Sequence, residues 1–476
     1  MHGARLNRRQ FLCAAAGAAG RSVGITVMPE YIQVEGIGRV LDNLLRRARA
    51  TSVTTSPYVM EPAGEKTGSR EPPIDAGAGK VRLLDRPLWG RRELFVRTAP
   101  SFEPDARLYR GLRYQPAAVT ELTRKQGPLI GEFVSAARAR GLKVYLQVQA
   151  AIPPGYRVQF GGPAEEDCPR LPDGRIPPRR LANNGSLASM HIRAYTEALI
   201  RDLLTAYPEV DGLRFDWPEY PPYLLDDVFL DFGEPARQAA ERLGLPFDRL
   251  RREAGLLYRQ VHGALNDRDP GGWLAELEQR PLLHEWLRFK ATLVEQMLAG
   301  YRKALTQAGG ASKELLAHAF PPPLSRLSGM DFDRASRHVD GIGVKFYTMH
   351  WPMILRFWGD ELLQANPGLS ESRVAAALAR WLDMSDGPLL PHLADYVYPE
   401  PGAPHPAGSK AQARKIAEAR KAAGKTPVFA LAHGYGPAAD FRRRVEAVFA
   451  PSGRRLWVNR YGYLSDEKLE ILAAVE

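Results

Sequence analysis

Cysteine is almost missing from this chain: two residues in 476, Cys13 and Cys168. That count excludes a metal centre built on thiolates and a disulfide-stapled scaffold. Long apolar runs are missing too. No internal stretch approaches the ~18 consecutive apolar residues of a membrane span, so stable membrane insertion is not expected. The sequence has no H-x-H or H-E-x-x-H metal pattern, no phosphate-cradling G-x-x-x-x-G-K-[ST], no dinucleotide G-x-G-x-x-G and no G-x-S-x-G elbow. A lone S-x-x-K, Ser465 to Lys468, is expected by chance. The expectation is chemistry without metal or cofactor.

Positive charge is plentiful: 65 Lys and Arg against 54 Asp and Glu give a net charge of +11. The basic residues are scattered through the predicted helices rather than massed on one arm, and no nucleic-acid motif accompanies them, so no nucleic-acid partner is expected. Two accounts of the charge remain: a solvated basic surface, and long-range attraction to an acidic polymer such as an anionic glycan.

The chain opens Asn7-Arg8-Arg9-Gln10-Phe11-Leu12-Cys13 and continues in Ala and Gly to Gly20. This resembles a twin-arginine leader. The resemblance implies residues 1–20 as a signal peptide, passage of the folded protein through the twin-arginine export machinery, and a periplasmic or extracellular location. With Cys13 removed, the mature chain would hold one thiol and no internal disulfide.

Beyond the leader, eight short apolar segments recur at residues 23–28, 50–58, 141–150, 210–216, 315–320, 341–347, 427–433 and 455–461. Helical patterns lie between them, clearest at 131–140, 191–206, 283–308 and 371–382. Strands alternating with helices predict crossover units and a parallel sheet. Eight units with near-continuous apolar strands predict an α/β fold, a (β/α)8 TIM barrel with long βα-loop insertions, spanning residues 21–476. Residues 231–280 read as a helical insertion, and 399–408, rich in Pro and Gly, as a surface linker.

The densest chemistry lies in the fourth segment, Asp211-Gly212-Leu213-Arg214-Phe215-Asp216-Trp217-Pro218-Glu219-Tyr220-Pro221. Strand side chains alternate, so Leu213 and Phe215 should face the outer helices while Arg214 and Asp216 face the lumen. Asp216 then sits at the C-terminal rim, where barrel enzymes place their sites. A nearby guanidinium should keep it ionised, making Arg214 its tuner. An ionised rim carboxylate suits a glycosidase nucleophile or charge stabiliser. Glu219 is the nearest candidate for the acid, and Glu30 and Glu61 are further rim carboxylates. Trp217, Tyr220 and Tyr223 offer aromatic faces for a sugar.

On the third strand Tyr145, Gln147 and Gln149 share the inward face, and the two amides suit sugar hydroxyls. On the sixth, Lys345 and Tyr347 point inward. Lys345 would bind a substrate carboxylate, hold Asp216 ionised, form a Schiff base or sit in a structural salt bridge. His350 follows on the loop with Trp351. His318, His433, Tyr435, Asn459 and Tyr461 complete a polar, aromatic ring.

The fourth segment, with Tyr220-Pro221, resembles the D-G-φ-x-φ-D-Y/W…Y/F-P stretch of glycoside-hydrolase-like barrel families. The lead-in Asn183-Asn184-Gly185-Ser186 and the stretch from His284 to Lys290 are similar to theirs as well. The resemblance implies the barrel and a carbohydrate-cleaving role carried by Asp216, with a polysaccharide or oligosaccharide as substrate. The Arg214-x-Asp216 spacing is similar to α-amylase-type barrels, but the fifth segment, Leu315 to Phe320, has no carboxylate. Chitinase-like barrels share the D-G start and a Tyr-Pro; here Arg214 replaces their middle Asp, and Glu219 falls one place late. Three readings stay open: a glycoside hydrolase, a non-catalytic glycan-binding barrel, and a Lys345-dependent lyase or aldolase.

Overall fold

The eight apolar segments close on one another. The computed structural model describes residues 20–74, 82–157 and 161–476. The leader lies outside the described residues. Eleven strands are numbered in chain order: β1 Ser22–Thr26, β2 Ser52–Thr55, β3 Tyr58–Ala63, β4 Ser69–Glu71, β5 Leu94–Pro100, β6 Lys143–Gln149, β7 Gly212–Asp216, β8 Glu314–Ala319, β9 Gly341–Phe346, β10 Val428–His433 and β11 Arg455–Asn459. Strands β1, β2 and β6 to β11 form one closed barrel in the order β1-β11-β10-β9-β8-β7-β6-β2. Every ladder in it is parallel. This is the (β/α)8 barrel that the alternation predicts.

The expected second strand, residues 50–58, is shorter than its pattern. The barrel strand stops at Thr55, and Tyr58 opens a separate antiparallel sheet of order β3-β5-β4. That sheet occupies the long connection to β6, which carries no strand in the sequence reading. Residues 231–280 hold the helices Glu234–Arg242, Phe247–Val261 and Gly272–Gln279. Residues 399–408 differ from a plain linker: His405 and Ala407 are buried, and His405 Nδ1 lies 2.7 Å from Thr348 Oγ1.

The alternation holds where it matters. Phe215 faces outward and stacks on Tyr301 of the Pro281–Leu305 helix, ring centroids 4.9 Å apart. Tyr145, Leu316, Leu431 and Trp457 form a small apolar cluster inside the barrel. Gly24 makes room for the Trp457 indole, since a Cβ there would come within 2.4 Å of it. The Arg214 guanidinium lies over the Trp457 ring, 3.9 Å from its centroid. The lumen is therefore a packed floor rather than a pore, and it sets the height at which polar side chains emerge. Among the described residues, no helix is long and apolar enough to cross a membrane.

Trp457→Ala empties the centre of that floor and unseats Arg214. It is expected to cost about 3–5 kcal/mol, measured as a lowered urea midpoint with an unchanged slope.

Candidate functional site

Above the floor the strand ends turn polar, and a cleft with a volume of about 390 Å³ opens over Asp216. Asp216 ends β7, and its side chain is 15% exposed. Lys345, from β9, places Nζ 2.6 Å from Asp216 Oδ1 while only 3% exposed itself. His318, from β8, places Nδ1 3.2 Å from the same oxygen. The Trp217 backbone N–H donates to that oxygen as well, at 3.0 Å. Trp217 has φ of 49°, a left-handed backbone that is costly for a non-glycine residue. The chain thus turns sharply after the carboxylate and lays the indole over Lys345, whose Nζ is 5.1 Å from the ring centroid.

Arg214 does not touch Asp216 directly, which corrects the expected pairing. Its guanidinium crosses the lumen to Thr54 Oγ1 at 2.9 Å and Thr26 Oγ1 at 3.3 Å, and bonds Nε2 of His318. Arginine has only donors, so Nε2 of His318 is the acceptor and Nδ1 carries the proton toward Asp216. Burial, then the Arg214 charge, holds His318 down to about 4, so it stays neutral over the ordinary range. Gly343 leaves the imidazole its space: a Cβ there would lie 3.2 Å from His318 Cδ2. Burial on its own would raise the Asp216 carboxyl, but Lys345 and His318 outweigh it and hold the group well below the usual carboxylate range.

Gln147, Gln149, Trp217, Tyr223, Tyr347, His350, His433 and Asn459 line the cleft with Asp216. His350 and Trp351 begin the His350–Ala365 helix. The amide oxygens of Gln147 and Gln149 are buried without a hydrogen-bond partner. Tyr347 and His433 pack edge to face at 5.1 Å.

Other candidates from the sequence lie elsewhere. Glu219 is fully buried, accepting from the Phe320 N–H at 2.8 Å and the Ser328 hydroxyl at 2.5 Å, and does not line the cleft. Burial pushes it up to about 7. Glu30, in the first turn of the Pro29–Glu35 helix, is equally buried; it accepts from the Tyr58 hydroxyl at 3.2 Å and is pushed up to about 7 by burial and by Glu71. Glu61 is not on the barrel rim. It belongs to β3 and pairs with Arg97 at 2.9 Å beside a separate groove. Tyr220 is buried and donates to Asp231 Oδ2 at 3.1 Å. Tyr461 lies past the end of β11 and donates to Glu35 Oε2 at 2.7 Å. Neither ring faces the cleft, because each follows its strand end by enough residues for the chain to have turned away.

Four cleft residues were not anticipated: Arg82, Arg157, Arg180 and Arg460. Arg180 is matched by Asp227 at 3.3 Å and by Asn184. Arg157 and Arg460 share a single carboxylate, Glu71 of β4. Arg82 places Nη1 2.9 Å from His433 Nε2. Arg460 directly follows β11, so the rule that sites gather at strand ends would have found it; the other three stand on long connections with no local signal. Among the described residues, no three His, Cys, Asp or Glu side chains converge as metal ligands.

The Asp216–Lys345 pair makes a pH-dependent prediction. A depressed folded carboxyl contributes stability above the ordinary value of ~3.9 and loses it only as pH falls through the lower, folded value. Lys345→Met strands the carboxylate and is expected to cost about 3–5 kcal/mol at pH 7. The deficit should shrink toward pH 4, where the stranded group takes a proton. Urea unfolding at the two pH values checks this, and an equal deficit at both would be evidence against the pair.

No family model and no curated protein matches the chain. Solved structures do. The PgaB (BpsB) glycoside hydrolase domain from Bordetella bronchiseptica is 13% identical, over 93% of this chain and 94% of that one, with a TM-score of 0.49. The catalytic domain of β-amylase from Paenibacillus polymyxa is 8% identical, over 94% of each chain, also at 0.49. A class V chitinase from Pseudomonas fluorescens is 10% identical, over 96% of this chain and all of that one, at 0.42.

Proposed function

We propose that this chain is an exported glycoside-hydrolase-like enzyme that cuts O-glycosidic bonds of a polysaccharide or oligosaccharide, with Asp216 as nucleophile or charge stabiliser. One observation carries the reading: an ionised carboxylate stands at the C-terminal mouth of a (β/α)8 barrel, facing an open cleft and pinned by Lys345 and His318. A carboxylate kept charged next to the scissile bond lowers the energy of an oxocarbenium-like transition state or forms a glycosyl ester with it. Arg214 acts at one remove, by fixing the His318 tautomer. Trp217, Tyr223 and Tyr347 supply ring faces, and Gln147 and Gln149 supply acceptors for sugar hydroxyls. The twin-arginine-like opening supports export of the folded protein to the periplasm or beyond.

A second reading, a non-catalytic glycan-binding barrel, is favoured by a specific observation. Asp216 is the one carboxyl lining the cleft among the described residues. Glu219 and Glu30 are pushed up toward neutral pH, as an acid needs, but both are walled off from the cleft. The lyase or aldolase reading loses its nucleophile, because Lys345 is buried against Asp216 with no open approach for a carbonyl carbon.

Incubation of the full-length protein with a panel of bacterial and plant polysaccharides, with reducing ends counted, separates these readings. Wild type is expected to release ends, and Asp216→Asn to release them ~10²–10⁴-fold more slowly. Full turnover by Asp216→Asn would sink the assignment. Binding without release, in wild type, would establish the binding barrel instead.

A further inference from the structure

Resting on the reading of the cleft as a glycan site, we propose that its glycan is anionic, with a carboxylate or sulfate group on a sugar ring seated against Arg460, between Arg157 and Arg82. The charge balance of the wall points there. Arg157 and Arg460 converge on Glu71, so one carboxylate answers two guanidinium groups. Glu71 is 1% exposed, out of reach of a ligand, while the Arg460 side chain keeps 16% of its surface open and its acceptor is distant, at 3.4 Å. The guanidinium thus has donors left for a ligand oxyanion, and a planar fork suits a carboxylate or sulfate.

Neutralising charge is scarce nearby. Glu30, the next carboxyl in this network, is pushed up to about 7 by burial and by Glu71, so it offers less than a full counter-charge at neutral pH. Arg82 and Arg460, after burial, are the main influences that keep His433 neutral, which places both guanidinium groups around one imidazole of the cleft wall. His433 touches Tyr347, and Tyr347 in turn feels Asp216, Arg460 and Arg82. The cationic wall and the anionic Asp216 therefore flank the same ring. An acidic sugar fits this geometry with its charged group on the wall and its uncharged glycosidic bond toward Asp216. Gln147 and Gln149, with unpartnered buried amide oxygens, take hydroxyls on the opposite strands.

The test is equilibrium binding of the full-length protein to matched pairs of oligosaccharides: uronate oligomers beside their carboxyl-reduced counterparts, and sulfated oligomers beside their desulfated ones. At least one acidic member is expected to bind ten times more tightly than its neutral twin, and which pair responds separates carboxylate from sulfate. Arg460→Gln should abolish that preference, and Arg82→Gln should weaken it. Arg46→Gln, on an exposed side chain paired with Asp42 at 3.7 Å, is the control for attraction to the basic surface at large. Equal binding of both members, binding of neither, an Arg460→Gln variant that keeps the preference while folded, or equal loss in Arg46→Gln would each overturn the proposal. Reducing ends counted in parallel keep the two readings apart. An acidic glycan bound but uncut leaves this inference standing without the hydrolase; a neutral glycan cut does the reverse.

Discussion

Lys345 and Asp216 meet at 2.6 Å in the mouth of the barrel, and neither charge could stay there without the other. Removing an ammonium or a carboxylate from water costs several kcal/mol per ion, and the mutual attraction repays it only when geometry and further hydrogen bonds are good. Here both conditions are met. The carboxylate oxygen that faces Lys345 also takes contacts from His318 and from the Trp217 backbone. The interaction is assembled from three neighbouring strands, β7, β8 and β9, so it exists only when the barrel is closed in register. It continues downward as well: His318 leans on Arg214, and Arg214 lies on Trp457 and reaches Thr26 and Thr54 across the lumen. One chain of contacts runs from the apolar floor to the charged rim. A change to the floor therefore reaches the carboxylate through two side chains, not through diffuse strain.

The wall of the cleft depends on a different part of the fold. The three-stranded sheet between β2 and β6 adds little to the barrel, yet its last residue on β4 is Glu71, the carboxylate that gathers Arg157 and Arg460. Tyr58, the first residue of β3, meets Glu30 beneath them. Loops that build a site around a rigid scaffold are a general use of barrel architecture. In this chain the insertion supplies one anion where two cations need it, and that imbalance gives the wall its character.

The barrel itself was legible because its strands are buried on both faces. Segments such as residues 141–150 and 341–347 then read as apolar runs that no amphipathic helix would produce. The lumen was legible at β7 and β9, where period-two alternation put Asp216 and Lys345 inside. The partner of Asp216 was not. Alternation says that Arg214 and Asp216 share a face, but it does not say how far a long side chain reaches, and Arg214 spans the lumen instead of bending up to its neighbour. The β3–β5 sheet was missed because its strands are short, interrupted by Gly and Pro, and paired only with each other. Tyr220, Tyr461 and Glu61 were placed by counting from strand ends, and each strand stops earlier than its apolar pattern does. The arginine wall escaped for a related reason. Arg residues are so common in this chain that none stands out by type, and only the tertiary fold selects four of them.

The remaining tension lies in the protons. A retaining or inverting glycosidase needs a protonated carboxyl on the far side of the bond from its anion. This chain has two carboxyls with raised values, Glu219 and Glu30, but the burial that raises them also removes them from the cleft. Glu219 is the more constrained: one oxygen is committed to a backbone N–H and the other to Ser328, so delivering a proton would mean breaking the Ser328 contact and moving past Phe320. Glu30 has one oxygen without a partner, but it sits below Tyr58, in a network whose outer members are Arg157 and Arg460. An anionic substrate seated on those arginines would screen them from Glu30 and favour its protonated form. The group that recognises charge on the substrate and the group best supplied with a proton therefore belong to one network. In a glycosidase built this way, an acidic sugar would be both the ligand and the reason that the acid stays protonated.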